Sequence, residues 1–150
     1  QARAGTGGLT WALAMRRALD GPARETSRDG RPAIDDPRIR TELASIDGQL
    51  MSLTYSTYRA TSHAVHDRDV GPFSTMPKIY MTDLAQRIGK LARDIAGDSF
   101  LDMSGPNKKW IERFMISLSV SIAGGTSNIQ RNLIAERSPG LPRDARGAAK

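Results

Sequence analysis

The residues with the clearest chemical potential lie together near the carboxyl end, between Gly124 and Gln130. Gly124 and Gly125 interrupt a helical pattern, because paired glycines destabilise a helix and permit positive φ angles. Ser127 followed three residues later by Gln130 has capping-box spacing, which predicts that a second helix begins there. The first amides of a helix carry partial positive charge, so this turn, with the hydroxyls of Thr126 and Ser127, could hold a phosphate or a dinucleotide's polar rim. A glycine break followed by a cap is also a common way of joining two helices, so both interpretations stay open.

Two other patterns are compatible with ligand binding but favour simpler interpretations. Residues 5–8 read Gly-Thr-Gly-Gly, yet they lack the Gly-Lys-Ser/Thr ending and the preceding strand of a phosphate-binding loop. His63 and His66 are three apart on one face of a predicted helix, which suits a metal pair, but the sequence offers no third ligand. Solvated or locally paired histidines are the preferred interpretation, and no metal is expected.

Composition and charge limit the classes of function. The 150 residues carry a formal charge of +6, which raises nucleic acid or a membrane surface as partners. The basic residues are scattered singly among acids and are not interleaved with aromatic residues, so neither partner is expected. The chain has no cysteine, no apolar run of membrane-spanning length and no visible signal peptide. These absences predict a cytoplasmic protein without disulfides, thiol catalysis or thiolate metal sites.

The elements that must position these residues are predicted to be helices. Apolar residues recur four and three apart along residues 37–67 and 79–95, which predicts two long helices that pair antiparallel. Asp36 before Pro37 is a start signal, because a carboxylate can cap the helix while proline fits its first position. The apolar seams at residues 39–57 and 84–95 are expected to be exposed and to make the isolated chain self-associate.

Shorter segments complete the prediction. They are a helix at residues 9–24 that Gly21 and Pro22 should kink, a polar turn at 27–36, and a loop at 98–107. Asn107 can cap the following helix, whose apolar stripe is predicted along Trp110, Phe114, Leu118 and Ser121. The fold class is therefore all-α, an up-down bundle of about four long helices plus a short C-terminal helix. We assign residues 1–143 to this bundle and residues 144–150 to a polar tail.

The stretch from Ala123 to Arg143 resembles the C-terminal signature of the acyl-CoA dehydrogenase family. The Gly-Thr-Ser-x-Ile-Gln-Arg core lies at residues 125–131, and the trailing Gly-Leu-Pro-Arg lies at residues 140–143. Elsewhere the resemblance depends on looser features, namely Gly30-Arg31, Asp35-Asp36-Pro37 and Trp110. It implies that this region is the last of three domains, a helical bundle that pairs between subunits and helps to hold FAD.

The reaction that the resemblance implies removes a proton α to an acyl-CoA thioester and transfers a hydride from the β carbon to FAD. An electron-transfer flavoprotein then accepts the electrons. A carboxylate base must lie within hydrogen-bond reach of the α carbon. Many family members carry a glutamate where this chain has Gly124, and a second group carries one where this chain has Ala2. Glu136 lies more than two helical turns past Thr126, so we assign no catalytic residue.

The resemblance carries over cofactor contacts more completely than catalytic ones. Thr126 and Asn128 occupy positions that approach the nucleotide. Arg28 matches an arginine that contacts the cofactor's pyrophosphate across the dimer, although the aromatic-glycine pair usual after it is reduced to Gly30. Asp94 stands where many relatives have a glutamine, and an acid facing a phosphate would be unfavourable. The predicted cofactor-binding residues are Arg28, Gly125, Thr126, Ser127 and Asn128.

Three functions follow as hypotheses. The first is an acyl-CoA dehydrogenase, or its C-terminal domain, acting with an electron-transfer flavoprotein. The second is a catalytically silent subunit that supports an active partner in a homo- or hetero-oligomer of family members. The third is a helical interaction module or a basic nucleic-acid binder unrelated to flavin. Flavin absorbance of the protein from its native host separates the third from the others.

Overall fold

The computed structural model describes residues 4–71, 75–123, 125–137 and 141–142. Its α-helices are α1 (Ala4–Arg17), α2 (Asp20–Glu25), α3 (Pro37–Val65), α4 (Met76–Ala96), α5 (Lys108–Val120) and α6 (Ser127–Arg137). A small antiparallel hairpin joins β1 (Ser27–Arg28) to β2 (Arg31–Pro32), and short 3-10 helices lie at Ala33–Asp35 and Gly97–Leu101. The all-α prediction is confirmed. The predicted tail at residues 144–150 lies outside the described residues.

The long helices alternate in direction, as the sequence predicts. Ten residues separate the end of α3 from the start of α4, and Arg87 in the second half of α4 bonds Glu42 near the start of α3, so the two helices run antiparallel. Lys78 at the start of α4 contacts Ala123 just beyond α5, while Gly89 faces Phe114 in the middle of α5. The pair α4 and α5 is therefore antiparallel as well. No helix among the described residues is long and apolar enough to cross a membrane.

The core lies where α1, α3 and α4 meet. Its fully buried side chains include Met15 of α1, Ile46 of α3 and Ile88 of α4. The seams predicted on α3 and α4 supply most of it; the buried α3 members are Ile39, Leu43, Ile46, Leu50 and Leu53. Because these seams pack inside one chain, the expectation that they are exposed is wrong. Asp36 caps α3 as predicted, since its carboxylate accepts from the Arg38 amide at 2.8 Å.

The buried face of α5 differs from the predicted stripe. Trp110 and Ser117 are buried and Phe114 is half-buried, whereas Leu118 is 39% exposed. The Ser117 hydroxyl donates to the Phe114 carbonyl at 2.6 Å, so its burial leaves no unsatisfied hydroxyl. Ser117 therefore faces inward, where the apolar periodicity predicted Leu118. The outer face of α5 is consequently apolar and exposed.

The structure also differs from the sequence predictions in several short segments. The predicted helix at residues 9–24 is two helices, because the chain turns at Ala18 and Leu19 before reaching Pro22.

The predicted polar turn contains the hairpin, whose two-residue turn has positive φ at Asp29 and Gly30 (50° and 78°), as Asp-Gly turns favour. Asn107 does not cap α5 with its side chain, which instead donates to the Ser99 carbonyl at 3.1 Å.

We expect Gly89→Ala and Gly48→Ala to have opposite effects on stability. Both glycines lie inside helices, where alanine is favoured by about 0.5–1 kcal/mol. A β-carbon at Gly89 would lie 2.6 Å from Cδ2 and 3.1 Å from Cβ of Phe114, whereas Gly48 has no such neighbour within 4 Å. Overpacking should therefore make Gly89→Ala destabilising by about 1–3 kcal/mol, while Gly48→Ala stabilises. Urea unfolding measures both, and a stabilised Gly89→Ala would contradict the close packing of α4 on α5.

Candidate functional site

The glycine turn predicted to hold an anion connects α5 to α6. Gly125 has a φ of 100°, a backbone conformation that residues other than glycine rarely adopt. Thr126 caps α6, because its hydroxyl oxygen accepts from the Ile129 amide at 3.4 Å and its carbonyl accepts from the Gln130 amide at 3.0 Å. The predicted cap at Ser127 is thus wrong by one residue, since helical geometry already includes Ser127. Gly124 lies outside the described residues.

The polar side chains of this turn lie at the surface. Thr126 and Asn128 are exposed, and Ser127 is half-buried. The first amides of an α-helix have no partner within the helix, and the dipole makes them favour negative charge. The turn therefore presents a set of hydrogen-bond donors at an end of the bundle.

Lys78 of α4 contacts this turn, although the sequence analysis does not predict the contact. Its ammonium group, Nζ, donates to the Ala123 carbonyl oxygen at 2.5 Å and also to the Gly125 carbonyl oxygen. One signal was available in the sequence. A lysine in the first turn of a helix faces the positive end of that helix's dipole, so it needs negative partners from another element. Which element supplies them depends on the packing of α4 against α5.

Arg28 lies at the opposite end of α4 from the glycine turn. Its Nη1 donates to the Asp94 carbonyl oxygen at 2.8 Å, near the carboxyl end of α4. Roughly 24 Å of helix separates Lys78 from Asp94, at a rise of about 1.5 Å per residue. The structure therefore does not bring Arg28 together with Gly125, Thr126, Ser127 and Asn128 within one chain.

A cleft surrounds Arg28, with a volume of about 470 Å³. Its lining residues are Arg28, Arg38, Arg93, Asp94, Gly97, Asp98, Phe100 and Leu101. Arg93 donates from Nε and Nη2 to the Asp94 carboxylate at 3.0 and 2.7 Å. This ion pair reduces the repulsion that Asp94 would exert on a phosphate. The Arg38 side chain is 86% exposed and approaches Asp36 only at 3.9 Å, so it can reorient toward a ligand.

The two histidines make local hydrogen bonds. Nδ1 of His63 lies 2.9 Å from the Asp69 carbonyl oxygen, and Nδ1 of His66 lies 2.8 Å from the Ser62 carbonyl oxygen. A carbonyl oxygen only accepts, so Nδ1 carries the proton in both rings. Within the part of the chain that the structure describes, no group of three or more His, Cys, Asp or Glu side chains is placed to hold a metal ion.

Comparisons with known proteins agree with the signature stretch. The family model described as "Acyl-CoA dehydrogenase, C-terminal domain" matches residues 2–138. The chain is 31% identical over 116 residues to acyl-CoA dehydrogenase IpdE1 of Mycolicibacterium smegmatis, which covers 77% of this chain. It spans only 28% of that relative's length.

Solved structures share the fold. The chain is similar to the FAD complex of PigA, with a TM-score of 0.75 and 16% identity over 86% of this chain and 33% of that one. It is also similar to the ChsE4-ChsE5 complex from Mycobacterium tuberculosis, with a TM-score of 0.70 and 21% identity over 91% of this chain and 36% of that one. At these identities the likeness establishes the fold alone. Together with the family match, it shows that the chain belongs to the acyl-CoA dehydrogenase family and corresponds to its C-terminal domain.

Proposed function

We propose that this chain is the flavin-contacting, subunit-joining domain of an FAD-dependent enzyme that dehydrogenates an acyl-CoA thioester between its α and β carbons. The observation that carries the proposal is the turn at residues 125–128. It places the capped start of α6 and three polar side chains at an end of a bundle from this family. When bound, FAD would accept the hydride from the β carbon, and an electron-transfer flavoprotein would then receive the electrons.

The turn would bind the cofactor through neutral donors and the helix dipole. Thr126 and Asn128 are exposed and polar, so they can bond a ligand without disturbing the core. The amides at the start of α6 favour negative charge, which FAD carries on its pyrophosphate and which its flavin ring gains on reduction. The described residues of the turn therefore suit FAD, while the acyl chain would be enclosed largely by the companion domains.

The Arg28 cleft would serve a second flavin. Because Arg28 and Thr126 lie at opposite ends of α4, we assign them to cofactors bound mainly by different subunits. Three guanidinium groups line the cleft against the carboxylates of Asp94 and Asp98. The resulting positive balance suits a pyrophosphate, and Arg28 and Arg38 would hold it. Each chain would thus contribute one end to each of two sites.

Pairing of subunits also has support in the exposed apolar surface. On and just beyond α5, Met115, Ile116 and Ile122 are 59%, 52% and 69% exposed. Large apolar side chains grouped on one face favour association in water. A similar solved structure is named as a ChsE4-ChsE5 complex, so we include both a homo- and a hetero-oligomer in the proposal.

A second candidate is a catalytically silent subunit within such an oligomer. It is favoured by Gly124 and Ala2, which stand where family members carry their catalytic glutamates. Glu136 is half-buried in α6, about 15 Å of helix beyond Thr126, and is therefore poorly placed to replace them. In this case the chain would supply part of a flavin site while a partner subunit supplies the base.

We expect the double substitution Thr126→Ala with Asn128→Ala to weaken FAD binding in the full assembly without unfolding it. Losing hydrogen bonds from two polar groups at the cofactor should cost about 1–3 kcal/mol of affinity. The matched control is Thr41→Ala with Asn132→Ala, which removes the same two exposed side-chain types elsewhere on α3 and α6. Flavin fluorescence titration of the apoprotein measures the affinity. Equal FAD affinity in both variants, with native helicity, would remove Thr126 and Asn128 from the site.

A further inference from the structure

Lys78 connects α4 to the turn that precedes α6. Lys78 is half-buried, and its ammonium group donates to the carbonyl oxygens of Ala123 and Gly125. Both carbonyls lie beyond the carboxyl-terminal end of α5, which is the negative end of its dipole. A cation is therefore favoured there. Two of the three ammonium donors are directed at the residues on either side of position 124.

The rest of α6 does not fix this turn through core packing. None of residues 127–136 is buried. Arg131 of α6 approaches Asp83 of α4 at 3.8 Å, but both side chains are more than half exposed. Exposed ion pairs of this kind stabilise a structure only weakly. The charged hydrogen bonds from Lys78 should therefore hold the turn more firmly than the Arg131 pair does.

Peptide geometry links Lys78 to the side of the turn that would face a ligand. The carbonyl of Gly125 and the amide of Thr126 belong to one planar trans peptide unit, so they point in opposite directions. When Lys78 holds the Gly125 oxygen, the Thr126 N–H must point away from α4. The φ of 100° at Gly125 then directs the chain into α6.

We propose that Lys78 is a positioning residue for the flavin, acting through the carbonyl oxygens of Ala123 and Gly125 without touching cofactor or substrate. The inference rests on the proposed role of this turn in binding FAD. Lys78 holds the turn in the one orientation that directs the Thr126 amide and the start of α6 toward the cofactor. Without the ammonium, the turn samples several orientations, and FAD must select one of them at a cost in affinity.

The test compares three variants of the full-length protein that contains this domain. Lys78→Met removes the charge and keeps the stem, Lys78→Arg restores donors, and Lys90→Met removes the same charge from an exposed position of α4. FAD affinity is expected to fall about ten-fold in Lys78→Met, to stay within about three-fold in Lys78→Arg, and to stay unchanged in Lys90→Met. Visible circular dichroism of the bound flavin should change in Lys78→Met alone.

Hydrogen exchange of the apoprotein separates the possible outcomes. Faster exchange at residues 125–130 in Lys78→Met, with α3 and α4 unchanged, is expected together with the weaker FAD binding. If the wild-type protein binds no FAD, the proposed function itself is overturned. If the wild type binds FAD but Lys78→Met binds it equally well, the proposed function stands and Lys78 has no positioning role, whether or not exchange at the turn accelerates.

Discussion

The 150-residue chain by itself is expected to oxidise no acyl-CoA, even with added FAD and an artificial electron acceptor. Abstraction of the α proton needs a positioned base, and both family positions for it hold residues without a carboxylate, Gly124 and Ala2. General-base assistance contributes about 10²–10⁴-fold, or roughly 3–5 kcal/mol of barrier. The companion domains that would cover the flavin are also missing from these residues. Steady-state dye reduction measures the activity.

Addition of partners provides the control for this prediction. Activity should appear when the companion domains, or a partner subunit that carries a catalytic carboxylate, are added. Gly124→Glu in the isolated chain should rescue little, and Gly124→Gln should match it, because neither variant supplies the enclosing domains. Clear turnover by the isolated chain would contradict the prediction. So would turnover in the assembly that persists after the partner's carboxylate is replaced.

The largest effect on stability is expected from Ile88→Ala. Ile88 is fully buried where α4 meets the other core helices. Removing its outer carbons loses their transfer free energy and leaves a cavity that close-packed neighbours cannot fill, which costs about 2–5 kcal/mol. Urea unfolding followed by far-UV circular dichroism measures the loss, and Ile88→Val should lose only about 1 kcal/mol.

Ile116→Ala is the matched control for the core substitution. Ile116 lies on α5 and is 52% exposed, so the same truncation there should change the unfolding free energy by about 0.5 kcal/mol or less. If the outer face of α5 joins subunits, Ile116→Ala should instead weaken association. Equal destabilisation by Ile88→Ala and Ile116→Ala would contradict the assignment of the core to α1, α3 and α4.

Local sequence was sufficient for the elements that depend on neighbouring residues alone. The start of α3 follows from Asp36 and Pro37, because a cap and a constrained φ act within one turn. The seams of α3 and α4 follow from the helical period, which places residues three and four apart on one face. The turn before α6 follows from the glycines, and the resemblance in the same stretch indicated the family that the comparisons then showed.

Tertiary structure decided every feature that depends on which element lies opposite. Whether Ser117 or Leu118 faces inward on α5 depends on how α4 packs against α5. The helical period of the sequence does not specify this packing. The partners of Lys78 and the distance between Arg28 and Thr126 come from the packing and length of α4, since residues far apart in sequence meet only after the helices assemble. The sequence by itself therefore determined most of the helices and the family signature, in which Gly124 stands where many relatives carry a glutamate, and packing decided how α4 separates the two candidate cofactor contacts.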